Sequence, residues 1–117
     1  MVTDIDCLFC RIVDGEVPAD VVYETDVVIA FRDTTPQAPV HVLIVPKNHY
    51  DDIVEIADVD DELLGDIVRA AVVVAERERI DESGFRLAFN TGAGAGQAIF
   101  HLHGHVLGGR QLGRVAG

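Results

Sequence analysis

The chain has 117 residues, 49% of them apolar, and its 20 acidic side chains outnumber nine Lys and Arg to give a formal net charge of −11. This length fits a single compact domain, residues 1–117, and the charge argues against binding to nucleic acid or an anionic membrane, because clustered Lys and Arg hold such partners. The sequence shows neither a basic segment followed by an apolar run nor an uncharged apolar stretch of about 18 residues, so we expect a soluble, cytoplasmic protein.

Two cysteines, Cys7 and Cys10, lie at the start of the first predicted helix, which runs from Leu8 to Val13 and ends at Asp14-Gly15. In a reducing compartment this CxxC spacing indicates metal ligands or a redox pair before it indicates a structural disulfide. Two thiolates make half of a zinc site, so a metal needs further ligands from elsewhere in the chain. Two reduced, buried thiols are the alternative.

Three segments rich in β-branched residues follow and predict strands. Val21-Val22-Tyr23 and the segment from Val27 to Phe31 flank a short, hairpin-like connection. The run from His41 to Val45 is apolar almost throughout and is closed by Pro46. A run of this kind is typical of a central strand that is covered on both faces.

The middle of the chain predicts one long helix, from Asp61 to Ile80, with apolar residues at helical spacing and Asp58 as its cap. The segment from Phe85 to Asn90 then alternates as a strand, residues 91–96 form a glycine-rich loop, and the segment from Ile99 to Leu107 predicts the last strand. About five strands with one long and one short helix indicate an α+β domain with an antiparallel sheet.

Three of the five histidines, His101, His103 and His105, alternate along the last predicted strand. Alternate residues of a strand share a face, so we expect the three imidazoles to project together. A neutral imidazole is a good nucleophile and a good metal ligand near pH 7. The alternatives are a polar strand face without chemistry, or a catalytic metal site in which three histidines hold a zinc ion that activates water.

The glycine-rich loop, residues 91–97, lies directly before these histidines. Its glycines allow backbone N–H groups to converge on an anion, although a flexible hairpin loop would have the same composition. An anion-binding loop next to a neutral imidazole indicates attack on phosphorus, with a covalent phosphoramidate that water later hydrolyses. Such a reaction depends mainly on positioning and on charge stabilisation.

Three segments together resemble the histidine triad (HIT) superfamily. They are Cys7-Leu-Phe-Cys10-Arg-Ile-Val-Asp-Gly-Glu-Val-Pro-Ala, Gln37-Ala-Pro-Val-His41-Val-Leu-Ile-Val-Pro-Lys-Asn-His49 and His101-Leu-His103-Gly-His105-Val-Leu. The resemblance extends from about Cys7 to Gln111 and is strongest to the Hint branch, whose members hydrolyse purine nucleoside 5'-phosphoramidates. It implies a five-stranded antiparallel sheet in each subunit, a homodimer that joins two such sheets, and a purine nucleotide substrate.

The resemblance also implies a role for each matching residue. His103 would be the nucleophile that takes up the nucleoside monophosphate, His105 would contact the α-phosphate, and His41 would support them. The residues that would contact the rest of the substrate are Asn90, Gly96 and Gln97 for the phosphate or leaving group, Asp33 for the ribose hydroxyls, and Phe9, Ile12 and Phe31 for the base. As an alternative, the apolar members are core residues and Asp33 is a turn residue.

Members with a CxxC near the start bind a structural zinc ion, and the matching ligands here are Cys7, Cys10, His49 and His101. The sequence departs from the pattern at Gly104, where an apolar side chain is expected to pack the back of the strand. It also has Ala98 in place of a serine whose hydroxyl could assist the leaving group. Three functions therefore compete with phosphoramidate hydrolysis. They are hydrolysis of dinucleoside polyphosphates, nucleotidyl transfer, and nucleotide binding by a regulatory module with little turnover.

Overall fold

The computed structural model describes residues 6–115, so residues 1–5 and 116–117 of the predicted domain lie outside the described part. The helices are α1 (Leu8–Val13), α2 (Ile53–Ala57) and α3 (Asp61–Arg77), with a short 3-10 turn at Ala93–Ala95. The strands are β1 (Val21–Glu24), β2 (Val28–Arg32), β3 (Val40–Pro46), β4 (Phe85–Ala88) and β5 (Gly104–Gly108). The α+β class is confirmed, and α2 is a short helix that the sequence did not predict. Within residues 6–115, no helix has the length and apolarity to cross a membrane.

The five strands form one antiparallel sheet in the order β1-β2-β3-β5-β4. β3 lies in the middle, and its residues 41–46 are buried, as expected for a strand covered on both faces. Side chains alternate along a strand. Val42 and Ile44 therefore belong to one buried cluster, and Leu43 and Val45 belong to the cluster on the opposite face.

The two faces of the sheet are covered by different helices. On the first face α3 packs an apolar stripe that includes the fully buried Ile67 and Val74. On the second face Phe9 of α1 packs with Phe31 of β2. His105 pairs with Leu43 in the β3–β5 register, so its side chain lies on this second face. The histidine site is thus formed between the sheet and α1.

The long helix α3 begins at Asp61 as predicted, but its cap and its end differ from the sequence prediction. Its cap is Asp60, whose Oδ1 accepts a 3.0 Å hydrogen bond from the Leu63 amide, while Asp58 follows α2. The helix ends before Ile80, because Arg79 adopts a left-handed φ of 60° that interrupts the helical hydrogen-bond pattern. Ile80 then turns into the core, where it is 3% exposed.

The last strand is shorter than predicted. It begins at Gly104 and not at Ile99, so His101 and His103 precede it. The segment before β5 leaves the sheet beside Pro46, the last residue of β3. There the Pro46 carbonyl accepts a 2.7 Å hydrogen bond from Nε2 of the His101 ring, and not from a backbone amide of a paired strand. The expectation that all three histidines lie in the last strand is therefore wrong, and only His105 does, although the rings of His101 and His103 both pack against Phe9 on the second face.

Gly104 does not leave a gap behind β5. A Cβ atom at this position would lie 2.9 Å from Cδ1 of Leu87 and 3.0 Å from Cε1 of Phe89. These side chains, from β4 and the residues after it, already occupy the space that the missing side chain would fill. The departure from the family pattern is thus compensated by the neighbouring strand.

Candidate active site and metal site

A cavity of about 550 Å³ opens on the face of the sheet that α1 covers. The predicted site residues that line it are Phe9, Ile12, Phe31, Asp33, Asn90, Gly96, His103 and His105. His41 and Gln97 do not line the cavity and lie behind its wall, where they are 6% and 5% exposed.

His103 lies at the polar end of the cavity with its ring orientation fixed by the backbone. Its Nδ1 is 2.8 Å from the carbonyl oxygen of His101, and because a carbonyl only accepts, Nδ1 carries the proton. The lone pair of the neutral ring is therefore on Nε2. Burial lowers the pKa of His103, and the edge of the Phe9 ring packs at 5.1 Å between centroids. The ring is thus neutral, with an unshared electron pair on Nε2.

His105 and His41 form a hydrogen-bonded pair beside the His103 ring. The Gln37 amide donates to Nδ1 of His41 at 3.0 Å, so Nε2 of His41 carries the proton and donates to Nδ1 of His105 at 2.9 Å. The remaining proton of His105 is then on Nε2. Burial, together with neighbouring His103 and His41, lowers the pKa of His105 to about 4, and burial also lowers the pKa of His41. His105 is thus a neutral hydrogen-bond donor.

Asp33 joins this histidine pair to the rim of the cavity. Its Oδ2 lies 3.5 Å from Nε2 of His41, and its Oδ1 accepts a 2.8 Å hydrogen bond from the Thr35 amide. The second contact is the local turn that the alternative interpretation predicted. Asp33 nevertheless lines the cavity, so the turn places a carboxylate within reach of a ligand.

The opposite part of the cavity is apolar. Phe9 and Phe31 pack edge to face at 5.5 Å between ring centroids, and both are almost completely buried. They are core residues, as the alternative interpretation predicted, and they also line the cavity together with Ile12. The slot continues over Leu8 and Leu43, which the sequence did not single out.

The glycine-rich loop brings only some of its predicted residues to the cavity. Asn90 and Gly96 line it, but the Gly96 amide donates to the Ala93 carbonyl at 3.0 Å and closes the 3-10 turn. The Gln97 side chain points into the protein. Ala98, predicted as a departure from the family pattern, lines the cavity at this place.

Cys7, Cys10, His49 and His101 are brought together with all four ligand atoms within 4.8 Å of one another. Sγ of Cys7 lies 3.3 Å from Nδ1 of His101, and Sγ of Cys10 lies 3.2 Å from Nδ1 of His49 and 3.4 Å from Nδ1 of His101. A tetrahedral zinc ion with usual bond lengths separates sulfur and nitrogen ligands by about 3.6 Å. The cluster therefore fits the geometry of a closed zinc site.

Outer hydrogen bonds prepare both imidazoles of this cluster as ligands. Nε2 of His101 donates to the Pro46 carbonyl, and Nε2 of His49 lies 2.8 Å from Oδ1 of Asp51. Each Nδ1 lone pair therefore faces the thiols, as in metal sites where a second group orients the histidine. His101 faces the cysteines and not the rings of His103 and His105, so the described residues do not form the three-histidine metal site.

Two groups near these sites were not predicted. Arg32 lines the cavity, and its guanidinium is held by Glu78 and lies 3.4 Å from the Asp20 carboxylate. Its position directly before Asp33 is the only sequence signal for it. Asp51 orients His49, and a carboxylate two residues after a candidate ligand was a signal that could have identified it.

Comparison with known proteins identifies the family. The HIT domain model matches residues 14–112. The chain is 42% identical over 108 residues to a purine nucleoside phosphoramidase of Escherichia coli (92% of this chain, 91% of that protein) and 42% identical over 110 residues to a 14 kDa zinc-binding protein of Brassica juncea (92% and 96%). The crystal structure of a HIT family hydrolase from Legionella pneumophila superposes with a TM-score of 0.92 at 49% identity and covers 95% of this chain and 99% of that one. The chain therefore belongs to the HIT domain family.

Proposed function

We propose that this protein is a hydrolase that cleaves purine nucleoside 5'-phosphoramidates, or related nucleotide conjugates, at the α-phosphate through a covalent intermediate on His103. The observation that carries the proposal is the hydrogen bond from Nδ1 of His103 to the His101 carbonyl, which leaves a lone pair on Nε2 at the polar end of a nucleotide-sized cavity. The relative named purine nucleoside phosphoramidase supports the choice of substrate class.

The cavity has a suitable surface for each part of such a substrate. A purine ring fits the apolar slot between Phe9, Ile12 and Phe31, where flat aromatic surface is removed from water. The Asp33 carboxylate at the rim can accept hydrogen bonds from ribose hydroxyls. Asn90 and the Nε2–H of His105 are donors at the polar end, where the α-phosphate would lie next to His103.

The reaction needs two displacements at phosphorus. In the first, the Nε2 lone pair of His103 forms a bond to the α-phosphorus, and the leaving amine departs with the electron pair of the P–N bond and takes up a proton from water. The His101 carbonyl stabilises the positive charge that the ring acquires, because it accepts from Nδ1–H. In the second, water attacks phosphorus, the bond to Nε2 breaks, and the nucleoside monophosphate and a proton are released.

A zinc ion bound by Cys7, Cys10, His49 and His101 would supply a structural cross-link and no open coordination position. His101 would then contribute its ring to the metal and its carbonyl to His103. A cytoplasmic location is part of the proposal, because two cysteines without a disulfide are typical of a reducing compartment.

A homodimer is part of the proposal. β4 and β1 are the two outer strands of the sheet, and within residues 6–115 each pairs on one side only, β4 with β5 and β1 with β2. An exposed strand edge is a template for a second copy. Sedimentation equilibrium tests this, and we expect twice the chain mass of 12.7 kDa. A mass that stays at 12.7 kDa at micromolar concentration contradicts the dimer.

Quenched-flow mass spectrometry with adenosine phosphoramidate tests the mechanism. We expect an AMP adduct that maps to His103 in the wild type and no adduct in His103→Ala or His103→Gln. Equal turnover by the wild type and His103→Ala would contradict a covalent intermediate on His103. A parallel series with diadenosine polyphosphates decides between the phosphoramidase and the polyphosphate hydrolase, and tight AMP binding without single-turnover chemistry identifies a binding module.

A further inference from the structure

The Gln97 side chain joins two segments that are distant in the sequence. Its Oε1 accepts a 2.8 Å hydrogen bond from the Gly92 amide, and its Nε2 donates to the carbonyl oxygens of Asp51 at 2.8 Å and Ile99 at 3.1 Å. The residue is 5% exposed. Both amide protons and the carbonyl oxygen are thus used within the protein, so the side chain holds backbone in place and does not face the cavity.

One of the joined segments belongs to the metal site. Asp51 is the residue whose carboxylate orients His49, and its carbonyl receives the Gln97 amide. The neighbouring Tyr50 carbonyl accepts a 2.6 Å hydrogen bond from the Leu102 amide, next to the ligand His101. A shift of this segment would therefore change the positions of two of the four metal ligands.

The other joined segment is the glycine-rich loop, which follows Asn90 at the end of the cavity where the phosphate is proposed to lie. Gly92 begins the 3-10 turn, and its carbonyl accepts from the amides of Ala95 and Gln97. Gly96 and Ala98, on either side of Gln97, both line the cavity. The turn contains Gly92 and Gly96 at φ of 81° and 86° and has few side chains to pack, so hydrogen bonds to the rest of the protein have to fix its position.

We propose that Gln97 is a positioning residue, which holds the loop from Gly92 to Ala98 against the Asp51 segment so that metal binding and phosphate binding stabilise each other. This rests on the proposed nucleotide site. A bound metal fixes His49 and, through Asp51 and Gln97, the loop. A bound phosphate fixes the loop and, by the same contacts, the metal ligands, because coupling between two sites is reciprocal.

The test uses two substitutions and a matched control. Gln97→Glu keeps the acceptor for the Gly92 amide but places a carboxylate oxygen against two carbonyls, and Gln97→Met has a similar length without hydrogen bonds. Gln111→Glu makes the same chemical change at an exposed position. Calorimetry on the metal-loaded proteins gives the dissociation constants of AMP and of adenosine, which has the base and the ribose but no phosphate.

We expect both Gln97 variants to weaken AMP binding about tenfold and adenosine binding less than twofold, and Gln111→Glu to change neither. Competition for Co²⁺ against a coloured chelator then gives the metal affinity. Saturating AMP should raise this affinity at least fivefold in the wild type and less than twofold in the Gln97 variants, which a purely structural role would not produce. These readouts need no turnover, so they can succeed or fail independently of the phosphoramidase reaction.

Two outcomes would overturn the inference. One is an equal loss of AMP and adenosine affinity in Gln97→Met, which would mean that the substitution disturbs the whole cavity. The other is the same effect of AMP on Co²⁺ affinity in the wild type and both variants, which would mean that the sites are independent or are coupled only through His101. If a variant does not fold, the wild-type measurement still decides. If AMP does not change the Co²⁺ affinity of the wild type, the two sites are not coupled.

Discussion

The roles of the histidines follow from the hydrogen bond that each ring makes. His49 and His101 carry their protons on Nε2 and present Nδ1 to the thiols, whereas His103 carries its proton on Nδ1 and presents Nε2 to the cavity. His41 and His105 both carry theirs on Nε2. A proton moved between the nitrogens of one ring would convert a ligand into a donor. The backbone carbonyls, the Asp51 carboxylate and the Gln37 amide that fix the tautomers therefore matter as much as the rings.

The partly buried His105 makes stability depend on pH. Its pKa is about 4 in the folded protein and near 6.5 when unfolded, so between these values the unfolded chain binds more protons and stability rises with pH. We expect acidification from pH 7 to pH 5 to cost about 1 to 2 kcal/mol through this residue. Urea unfolding of the wild type and His105→Asn at both pH values measures it. Protonation places a positive charge facing His103 and His41, with Asp33 as the nearest carboxylate.

The variant is the internal control, because it lacks the titration of His105 and keeps the other titrating groups of the chain. His105→Asn should lose less stability than the wild type between pH 7 and pH 5. Equal losses would show that folding does not lower the pKa of His105.

Asp33 should select for ribose hydroxyls and not for the base or the phosphate. A hydrogen bond from a hydroxyl to a carboxylate contributes about 1.5 kcal/mol or more, so we expect Asp33→Ala to weaken AMP binding about tenfold. Binding of 2',3'-dideoxy-AMP should change less than twofold. Calorimetry with the two nucleotides measures the difference. If both nucleotides lose affinity equally, Asp33 acts through its turn or through His41 and not through the ribose.

At the scale of elements, the sequence predicted the helices and strands that are determined by a local pattern of apolar residues. The apolar run of β3, the stripe of α3 and the short helix α1 were predictable because their residues pack against one sheet face or both. The start of β5 was not, because it depends on the contact between the His101 ring and Pro46, which are far apart in the chain. The contacts of Gln97 were not predictable for the same reason, since its three partners are visible only in the folded structure.

The cap of α3 can be tested with two neighbouring aspartates. Asp60→Ala removes the acceptor for the Leu63 amide and should cost about 1 kcal/mol of unfolding free energy. Asp58→Ala is the matched control, and we expect a change within about 0.5 kcal/mol, because its side chain does not cap α3. Urea denaturation of both variants gives these values. A larger loss of unfolding free energy in Asp58→Ala than in Asp60→Ala would show that Asp58 caps α3, as the sequence predicted.

The Leu87 side chain of the neighbouring strand β4 occupies the space beside Gly104, and this predicts the effect of a side chain at position 104. Gly104→Ala places a methyl group 2.9 Å from Leu87 and should destabilise the protein by about 1 to 3 kcal/mol. Leu87→Ala alone also destabilises it, but the double variant should be more stable than the sum of the two changes predicts, since the residues compete for one space. Denaturation of the wild type, the two single variants and the double variant measures the interaction energy between the two positions. Additive changes would show that the two side chains do not share this space.

At the scale of the whole molecule, the metal site connects parts that the sheet does not join. α1 contacts the sheet through the small cluster around Phe9 and Phe31, while the main core lies on the other face with α3. Cys7 and Cys10 at the start of α1 meet His49 after β3 and His101 before β5. A metal at this point would close long loops and fix one wall of the nucleotide cavity.

Removal of the metal should therefore loosen one side of the molecule and leave the other intact. After chelation, we expect amide exchange to accelerate at least tenfold in α1 and in residues 101–103, while α3 keeps its protection, because its core does not include the ligands. The paired change Cys7→Ser and Cys10→Ser should abolish zinc binding and reproduce this exchange pattern without a chelator. Hydrogen exchange mass spectrometry and metal analysis measure both effects. Zinc retained at one equivalent by the paired variant would place the metal elsewhere, and uniform acceleration that includes α3 would mean that the two faces do not unfold separately.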